Sequence, residues 1–405
     1  MRAMPLLRVV TSAVGLIGIP ALVHAEDHHG QPTRPAFGET SEVVGGTDAP
    51  LGKWPDAAAM LFNGQQACTG TLIAPTIALT AGHCDDPALT QILVGTASLD
   101  RSSDGETLPV TRRVVLDGAD MTVLVLGTAS RFAPRAIATG WAGLDIANGA
   151  AVEIVGYGAT DRQASQFKAE LQEVASTVTD FNCSTKAGCL ANELGAGGNG
   201  IDSCNGDSGG PLYLVTSYGN FLVGVTSRAY ADATAPCGEG GIYGRPDEVL
   251  AEIEQAAGVP VTHGPEPTFD PLVAIRGDAG ETQIVDHDPR SSSHSYALTT
   301  PPTMATAKVR QDGRIRVCVN PTAAPGASDF LVVTVTDTGA ATRSLAVKVP
   351  ISVAANDAVD GTCDVETFDD EGGGGGGGCC ESGRSAGGAL PLTLFVLVAL
   401  RRRRR

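Results

Sequence analysis

A histidine, an aspartate and a serine in this chain each stand in a context suited to nucleophilic catalysis. His83 lies in the motif TAGHC, Asp120 directly precedes an apolar strand, and Ser208 lies in the glycine-rich motif GDSGGP. A serine hydroxyl is a weak nucleophile at neutral pH and needs a base within hydrogen-bond reach. A histidine can accept that proton because it titrates near neutrality, and an aspartate can orient the imidazole and stabilise its cation. These residue types predict hydrolysis through an activated serine.

The elements that would position these residues are short strands. Residues 43–262 carry short apolar runs separated by Gly, Asp and Pro, which predicts an all-β barrel or sandwich. A helix with Pro246 in its first turn and a stop at Gly258 closes the segment. Of the nearby acids Asp104, Asp117 and Asp120, only Asp120 directly precedes such a run, and the choice among the three stays open at this point. The runs read as strands are Thr71–Thr80, Ile92–Gly95, Thr122–Leu126, Val152–Val155 and Phe221–Thr226.

The overall charge excludes one broad class of function. The 405 residues include 28 Lys and Arg against 45 Asp and Glu, a formal net charge of −17, whereas a nucleic-acid binder needs a basic face. Ten cysteines indicate an oxidising compartment. No zinc or phosphate motif is present in the sequence, so neither a metal nor a cofactor is expected. The predicted partner is a protein or peptide substrate.

The order of the three residues along the chain, together with both motifs, resembles the chymotrypsin/trypsin family of serine proteases over residues 43–258. The resemblance implies a chymotrypsin-like double β-barrel and an endopeptidase with the triad His83, Asp120 and Ser208. It also implies an oxyanion hole built from the backbone N–H groups of Gly206 and Ser208. The alternative is a catalytically inactive homologue that serves as a surface binding or adhesion module. All triad positions are occupied, which favours the enzyme.

A substrate pocket for a cationic side chain is also implied. Asp202 lies six residues before Ser208, where trypsin-like members carry the carboxylate that meets Arg or Lys. A buried carboxylate prefers a cationic partner because an unpaired charge is costly there. Gly241 and Ser227 match the residues that border this pocket. The chain departs from the family at Arg228, which stands where an aromatic wall is usual, so the outer subsites are expected to be atypical.

Activation by cleavage is implied at the sequence Val-Val-Gly-Gly, which resembles the mature N-terminus of the family. The new α-amino group of Val43 would pair with Asp207, directly before the serine, and so assemble the oxyanion hole and pocket. The residue before the cleavage point is Glu42 rather than Arg or Lys. An activating protease that accepts Glu is therefore expected, and self-activation is not.

The cysteines divide into three groups. Six correspond to bridges of the resembled family, with the implied pairs Cys68–Cys84, Cys183–Cys189 and Cys204–Cys237. Cys318 and Cys363 are left to join a second domain to the stalk that follows it. Cys379 and Cys380 belong to the C-terminal tail.

A second domain and two address segments complete the predicted organisation. Residues 1–25 are typical of a secretory signal peptide, and residues 26–42 of a propeptide. Residues 266–354 contain alternating strands and resemble bacterial immunoglobulin- or cadherin-like β-sandwiches. Residues 355–378 are acidic and then glycine-only, which is typical of a flexible linker.

The tail at residues 379–405 combines two cysteines, a short apolar stretch and five terminal arginines. It resembles the myxobacterial C-terminal sorting signal, which is cut near the cysteine by a tail-processing enzyme before the protein reaches the cell surface. The alternative is an uncut anchor that stays in the membrane. Both interpretations place the body of the protein outside the cytoplasm, secreted or held at the cell surface or outer membrane.

Overall fold

The computed structural model describes residues 43–339, 343–356, 359 and 363–368. The predicted signal peptide, propeptide and sorting tail, and much of the predicted linker, lie outside the described residues. Within the described part of the chain, no helix is both long enough and apolar enough to cross a membrane.

The first β-barrel is closed by six strands in the order β2-β3-β4-β7-β6-β5. Buried apolar side chains such as Met60, Leu72, Ile92 and Leu124 fill it. The run Thr71–Thr80, read from the sequence as one strand, is divided between two, because the chain turns between Ala74 and Ile77 at a proline that cannot donate to a ladder. The strands are β1 (Thr47–Asp48), β2 (Ala57–Phe62), β3 (Gln65–Ala74), β4 (Ile77–Thr80), β5 (Leu89–Val94), β6 (Glu106–Val115) and β7 (Thr122–Leu126).

A second six-stranded barrel follows, in the order β8-β9-β10-β13-β12-β11, and the pairing of β8 with β9 closes it. The two-residue strand β1 pairs with β9 on the outside and ties the start of the described chain to this barrel. Ile154, Leu194, Leu212 and Val223 lie in its core. The strands are β8 (Ala151–Gly156), β9 (Gln172–Asp180), β10 (Glu193–Ala196), β11 (Pro211–Thr216), β12 (Gly219–Ala229) and β13 (Gly241–Gly244).

Among the described residues two α-helices accompany the barrels, α1 (Gly140–Gly143) between them and α2 (Leu250–Ala257) after the second. Helix α2 packs Ile253 against the first barrel's outer core and ends at Gly258, whose φ of 74° is the left-handed conformation that glycine adopts readily. The prediction of Pro246 in the first turn of this helix is wrong. The helix begins at Leu250 with Val249 as its N-cap, so the proline lies outside it.

The remaining strands form two facing sheets, β14-β20-β19-β16 and β15-β18-β17. Ile315, Val317, Leu331, Val333 and Val349 fill the space between them. These sheets fit an immunoglobulin-like sandwich, so the predicted all-β fold class, a chymotrypsin-like double barrel followed by a β-sandwich, is confirmed. The strands are β14 (Leu272–Ala274), β15 (Ala279–Gln283), β16 (His294–Thr300), β17 (Ala305–Val309), β18 (Arg314–Val319), β19 (Ser328–Asp337) and β20 (Ser344–Val353).

A buried and charged contact joins the sandwich to the second barrel. Trp141 of α1 is fully buried among the apolar side chains of the sandwich core, and its Nε1 donates to Asp286 at 2.8 Å. Asp145 receives Arg343 at 2.6 Å and Arg290 at 2.7 Å, both from the sandwich. We call this group of residues the domain junction.

Candidate active site

His83 and Asp120 are brought together by two paired strands of the first barrel. His83 lies in a 3-10 turn directly after β4, and Asp120 lies just before β7, whose Thr122 pairs with Thr80. The His83 Nδ1 atom is 2.9 Å from Asp120 Oδ2, and the His83 backbone N–H donates to Oδ1 at 2.9 Å. Gly82 permits this approach, because a Cβ there would lie 2.8 Å from Oδ1.

The carboxylate of Asp120 receives a further hydrogen bond from the second barrel. The Ser227 hydroxyl donates to Oδ2 at 2.6 Å. Burial alone would raise the pKa of Asp120, but the His83 ring and the Ser227 hydroxyl outweigh it and lower this pKa to about 2. The rival acids lie elsewhere: Asp104 pairs with Arg101, and Asp117 is exposed. Asp120 is therefore an ionised, three-point-bonded partner for the imidazole.

Ser208 lies in the turn before β11, next to the residues that flank His83. Its carbonyl oxygen accepts from Thr69 N–H at 2.9 Å and lies 3.8 Å from the sulfur of Cys84. The disulfide bond between Cys68 and Cys84 holds this neighbourhood together. Within the described residues no hydrogen bond joins the Ser208 hydroxyl to the His83 ring. Catalytic hydrogen bonds are often long before substrate binds and tighten with it.

Among the described residues, the backbone N–H groups of Gly206 and Ser208 in this turn have no acceptor. The peptide units that carry these two N–H groups are each fixed by a hydrogen bond to their carbonyl oxygen. The Asn205 carbonyl accepts from Ala159, and the Asp207 carbonyl accepts from Gly210, each at 2.7 Å. Gly206 has a φ of 97°, and a Cβ there would lie 2.9 Å from the backbone of Gly158, so glycine is required. Two free donors beside a serine can bind a developing oxyanion.

A cavity opens beside Ser208, and Asp202 lies at its wall with 2% exposure. Asp202 Oδ2 accepts from Gly238 N–H at 2.8 Å and Gly240 N–H at 3.0 Å, whereas the buried Oδ1 has no hydrogen-bond partner. Burial raises the pKa of Asp202 to about 6, against the opposing effect of those amides. A carboxylate with one unsatisfied oxygen favours a cationic ligand. Gly241 and Ser227 also line the cavity.

Asp207 is fully buried beneath the same turn. Its oxygens accept from Gly158 N–H at 2.7 Å and Cys204 N–H at 2.8 Å, and no cationic side chain among the described residues pairs with it. Burial raises the pKa of Asp207 to about 7. The segment that starts at Val43 lies nearby: Val43 is fully buried, and the carbonyl of Val44 accepts from Asp202 N–H.

The remaining disulfide bonds are Cys183–Cys189, Cys204–Cys237 and Cys318–Cys363. The first closes a short loop before β10, and the second joins the Ser208 turn to the loop before β13. The third fixes the segment at 363–368 to strand β18 of the sandwich.

Sequence reasoning missed the partner of Arg228. The guanidinium does not stand free; it forms a two-point ion pair with the buried carboxylate of Glu193 on β10, at 2.7 and 2.8 Å. The sequence indicates that Arg228 needs an acidic partner, but it does not reveal which acid supplies it. Gly238 and Gly240, which hold Asp202, were also missed, although the sequence CGEGG clusters glycines there.

Comparison with known proteins gives the same result as the geometry. The chain matches the Trypsin family over residues 43–249. Trypsin of Saccharopolyspora erythraea is 31% identical over 218 residues, which cover 50% of this chain and 92% of that protein. Trypsin beta of Drosophila erecta is 28% identical over 205 residues, covering 47% and 79%. A solved structure of neuropsin, a serine protease expressed in the limbic system of mouse brain, covers 52% of this chain and 97% of its own, with 23% identity and a TM-score of 0.45.

The family match spans half of this chain, and the bacterial trypsin is matched over most of its length. The chain belongs to the trypsin family and is a trypsin-like serine endopeptidase.

Proposed function

We propose that this protein is a secreted, surface-sorted endopeptidase that cleaves after Arg or Lys through the triad Ser208, His83 and Asp120. The observation that carries the specificity is the unpartnered, buried Oδ1 atom of Asp202 in the cavity beside Ser208. A guanidinium or ammonium group would satisfy that oxygen, and an uncharged side chain would leave it unpaired.

The proposed mechanism assigns one step to each group. The Ser208 hydroxyl attacks the scissile carbonyl while His83 takes its proton, and His83 then gives the proton to the leaving amine. Asp120, bonded to Nδ1 at 2.9 Å, holds the ring and stabilises the imidazolium. The free N–H groups of Gly206 and Ser208 receive the oxyanion. Water then hydrolyses the acyl-enzyme by the same route in reverse.

Activation would follow from the buried position of Asp207. Its carboxylate has amide donors but no cationic partner within the described chain. Cleavage before Val43 would create an α-amino group, whose ordinary pKa is near 8, and that cation would compensate the buried charge. Because Glu42 precedes the cleavage point, a Glu-accepting protease would perform it.

The proposed domains are a protease at 43–262, an immunoglobulin-like sandwich at 266–354 and a linker at 355–378. Sequence alone supports the signal peptide, the propeptide and the sorting tail at 379–405, and with them transient or lasting membrane attachment and a tail-processing enzyme.

The test compares the processed wild-type protein with S208A and with the exposed-serine control S217A on chromogenic peptides that end in Arg or Lys. We expect S208A to lose about 10⁴-fold or more in kcat, with S217A unchanged. An acylating inhibitor should add its mass to the Ser208 peptide only. Equal rates in wild type and S208A, or no hydrolysis by either, would support the inactive-homologue alternative.

N-terminal sequencing of the secreted protein tests the proposed activation. A mature chain that starts at a residue other than Val43 would contradict it.

A further inference from the structure

Arg228 lies next to Ser227 on β12, and its guanidinium contacts the Ser227 hydroxyl although the side chain is 38% exposed. One terminal nitrogen donates to the Ser227 hydroxyl at 3.0 Å and to Glu193 Oε1 at 2.7 Å. The other donates to Glu193 Oε2 at 2.8 Å and to the carbonyl of Gly188 at 2.7 Å. The guanidinium is thus held at four points by three residues.

Glu193 anchors this arrangement from a buried position. It is only 6% exposed, and its second oxygen also accepts from the backbone N–H of Leu190 at 2.8 Å. A planar, two-point arginine–carboxylate pair has a fixed geometry and loses little further freedom when it bonds a third group. The position of the guanidinium beside Ser227 is therefore set by the barrel, not by the substrate.

The donors and acceptors around Ser227 determine which hydrogen bond its hydroxyl accepts and which it donates. Arginine has donors and no acceptor, so Ser227 can only accept from Arg228. The single hydroxyl hydrogen of Ser227 is left to donate elsewhere, and Asp120 Oδ2 lies 2.6 Å away. A hydroxyl that accepts from a cation is also polarised and becomes a stronger donor.

We propose that the Glu193–Arg228 ion pair positions the catalytic carboxylate of Asp120 by forcing and strengthening the hydrogen bond from Ser227. This inference rests on the proposed triad. Arg228 acts through Ser227 and does not touch the reacting atoms. An aromatic residue is usual at this position in the family. The charged guanidinium of Arg228 orients the Ser227 hydroxyl in a way that an aromatic side chain could not.

The test is a double-mutant cycle in the processed full-length enzyme. R228M should lower kcat about tenfold, corresponding to about 1.4 kcal/mol of lost transition-state stabilisation. Because Arg228 also lines the cavity, any change in KM is read separately from this fall in kcat. R228K, which keeps a donor, should recover part of that loss. In the S227A background, R228M should cause no further fall in kcat, because the group through which it acts is gone.

R228M leaves Glu193 buried without its cation and can lower stability. The double variant E193Q/R228M removes both charges, and we expect it to unfold at the wild-type temperature yet keep the tenfold loss in kcat. Wild-type kcat in this double variant, a rise in KM alone, or an equal loss from R228M in the S227A background would each overturn the inference. A wild-type enzyme without activity would instead indicate that the proposed triad fails.

Discussion

Aspartates that are largely removed from water lie in two regions of this protein, and the two regions compensate their charge in opposite ways. Near the cavity, Asp202 and Asp207 are 2% and 0% exposed and receive only neutral backbone amides. At the domain junction, the Asp145 side chain is 10% exposed and receives two arginines, Arg290 and Arg343. Both regions remove carboxylates from water, but only one supplies the compensating cations from the same chain.

We interpret this difference as one between acids with a structural role and acids that would receive a cationic partner from outside the described chain. An unpaired buried charge is costly, and burial accordingly raises the pKa values of Asp202 and Asp207 to about 6 and about 7. Perturbed acids in a cleft are typical of functional sites. Here the missing cations would be a substrate side chain at Asp202 and a new α-amino group at Asp207. The acids at the junction instead hold two domains together.

The largest expected effect comes from D202N. The variant keeps the shape and an acceptor for the two glycine amides but removes the charge, so kcat/KM for Arg and Lys peptides should fall about 10²- to 10³-fold, as for the loss of a buried ion pair. The matched variant D145N at the junction should keep its kcat/KM. Steady-state kinetics on both variants decide the point, and a similar loss in both would erase the distinction between the two regions.

R343M should show the reverse pattern. It leaves the half-buried Asp145 short of one of its two cations, which should lower the free energy of unfolding by about 3–4 kcal/mol. The exposed cation Lys348, 4.2 Å above the Phe330 ring, supplies the control, and K348M should change stability by about 1 kcal/mol or less. Urea unfolding measures both. Unchanged stability in R343M, or lost kcat/KM in its folded form, would contradict a structural role.

The pH dependence of stability should distinguish wild type from D202N. Because folding raises the pKa of Asp202 from 3.8 to about 6, the folded state is favoured while this group is protonated. The contribution is complete below about pH 4 and is lost as the pH rises through about 6. Wild type should therefore lose up to about 3 kcal/mol relative to D202N over this range. Parallel curves of the free energy of unfolding against pH for the two proteins would contradict this, because they would show that the charge of Asp202 is already compensated in the folded state.

A smaller effect is expected in ligand binding. A small aromatic amidine carries a permanent cation at these pH values and should bind more tightly as Asp202 ionises, by about tenfold between pH 5 and pH 7. Direct calorimetric binding to S208A avoids any contribution from turnover. Affinity that is independent of pH in this range would place the amidine away from Asp202.

The parts of the site that the sequence predicted are those with local signatures. The glycines of TAGHC and GDSGGP, and the cysteine of TAGHC, favour turns at these motifs. The positions of His83 and Ser208 therefore follow from a few neighbouring residues. The alternating runs of the sandwich were equally readable, because one face of each strand is buried. The division of Thr71–Thr80 into two strands could not be predicted from the sequence, because the largely apolar pattern of this run conceals the turn that the proline imposes.

Contacts between residues that lie far apart along the chain could not be predicted from the sequence. Glu193 meets Arg228 only because β10, β13 and β12 are neighbours in a particular register, and a one-residue slip would point the side chains to opposite faces. Trp141 was equally hidden: an apolar residue between the barrels gives no sign that it enters the sandwich core. Such choices depend on how whole elements pack.

If Asp202 receives its cation from the substrate, the charge of the residue before the scissile bond controls the rate of cleavage. Two peptides identical except for Arg or its uncharged isostere citrulline before the scissile bond should be compared by kcat/KM, with Lys and norleucine as a second pair. Each charged peptide should be cleaved at least about a hundredfold faster than its uncharged counterpart, the discrimination expected when a buried charge is left unpaired. Equal kcat/KM values within each pair would contradict it.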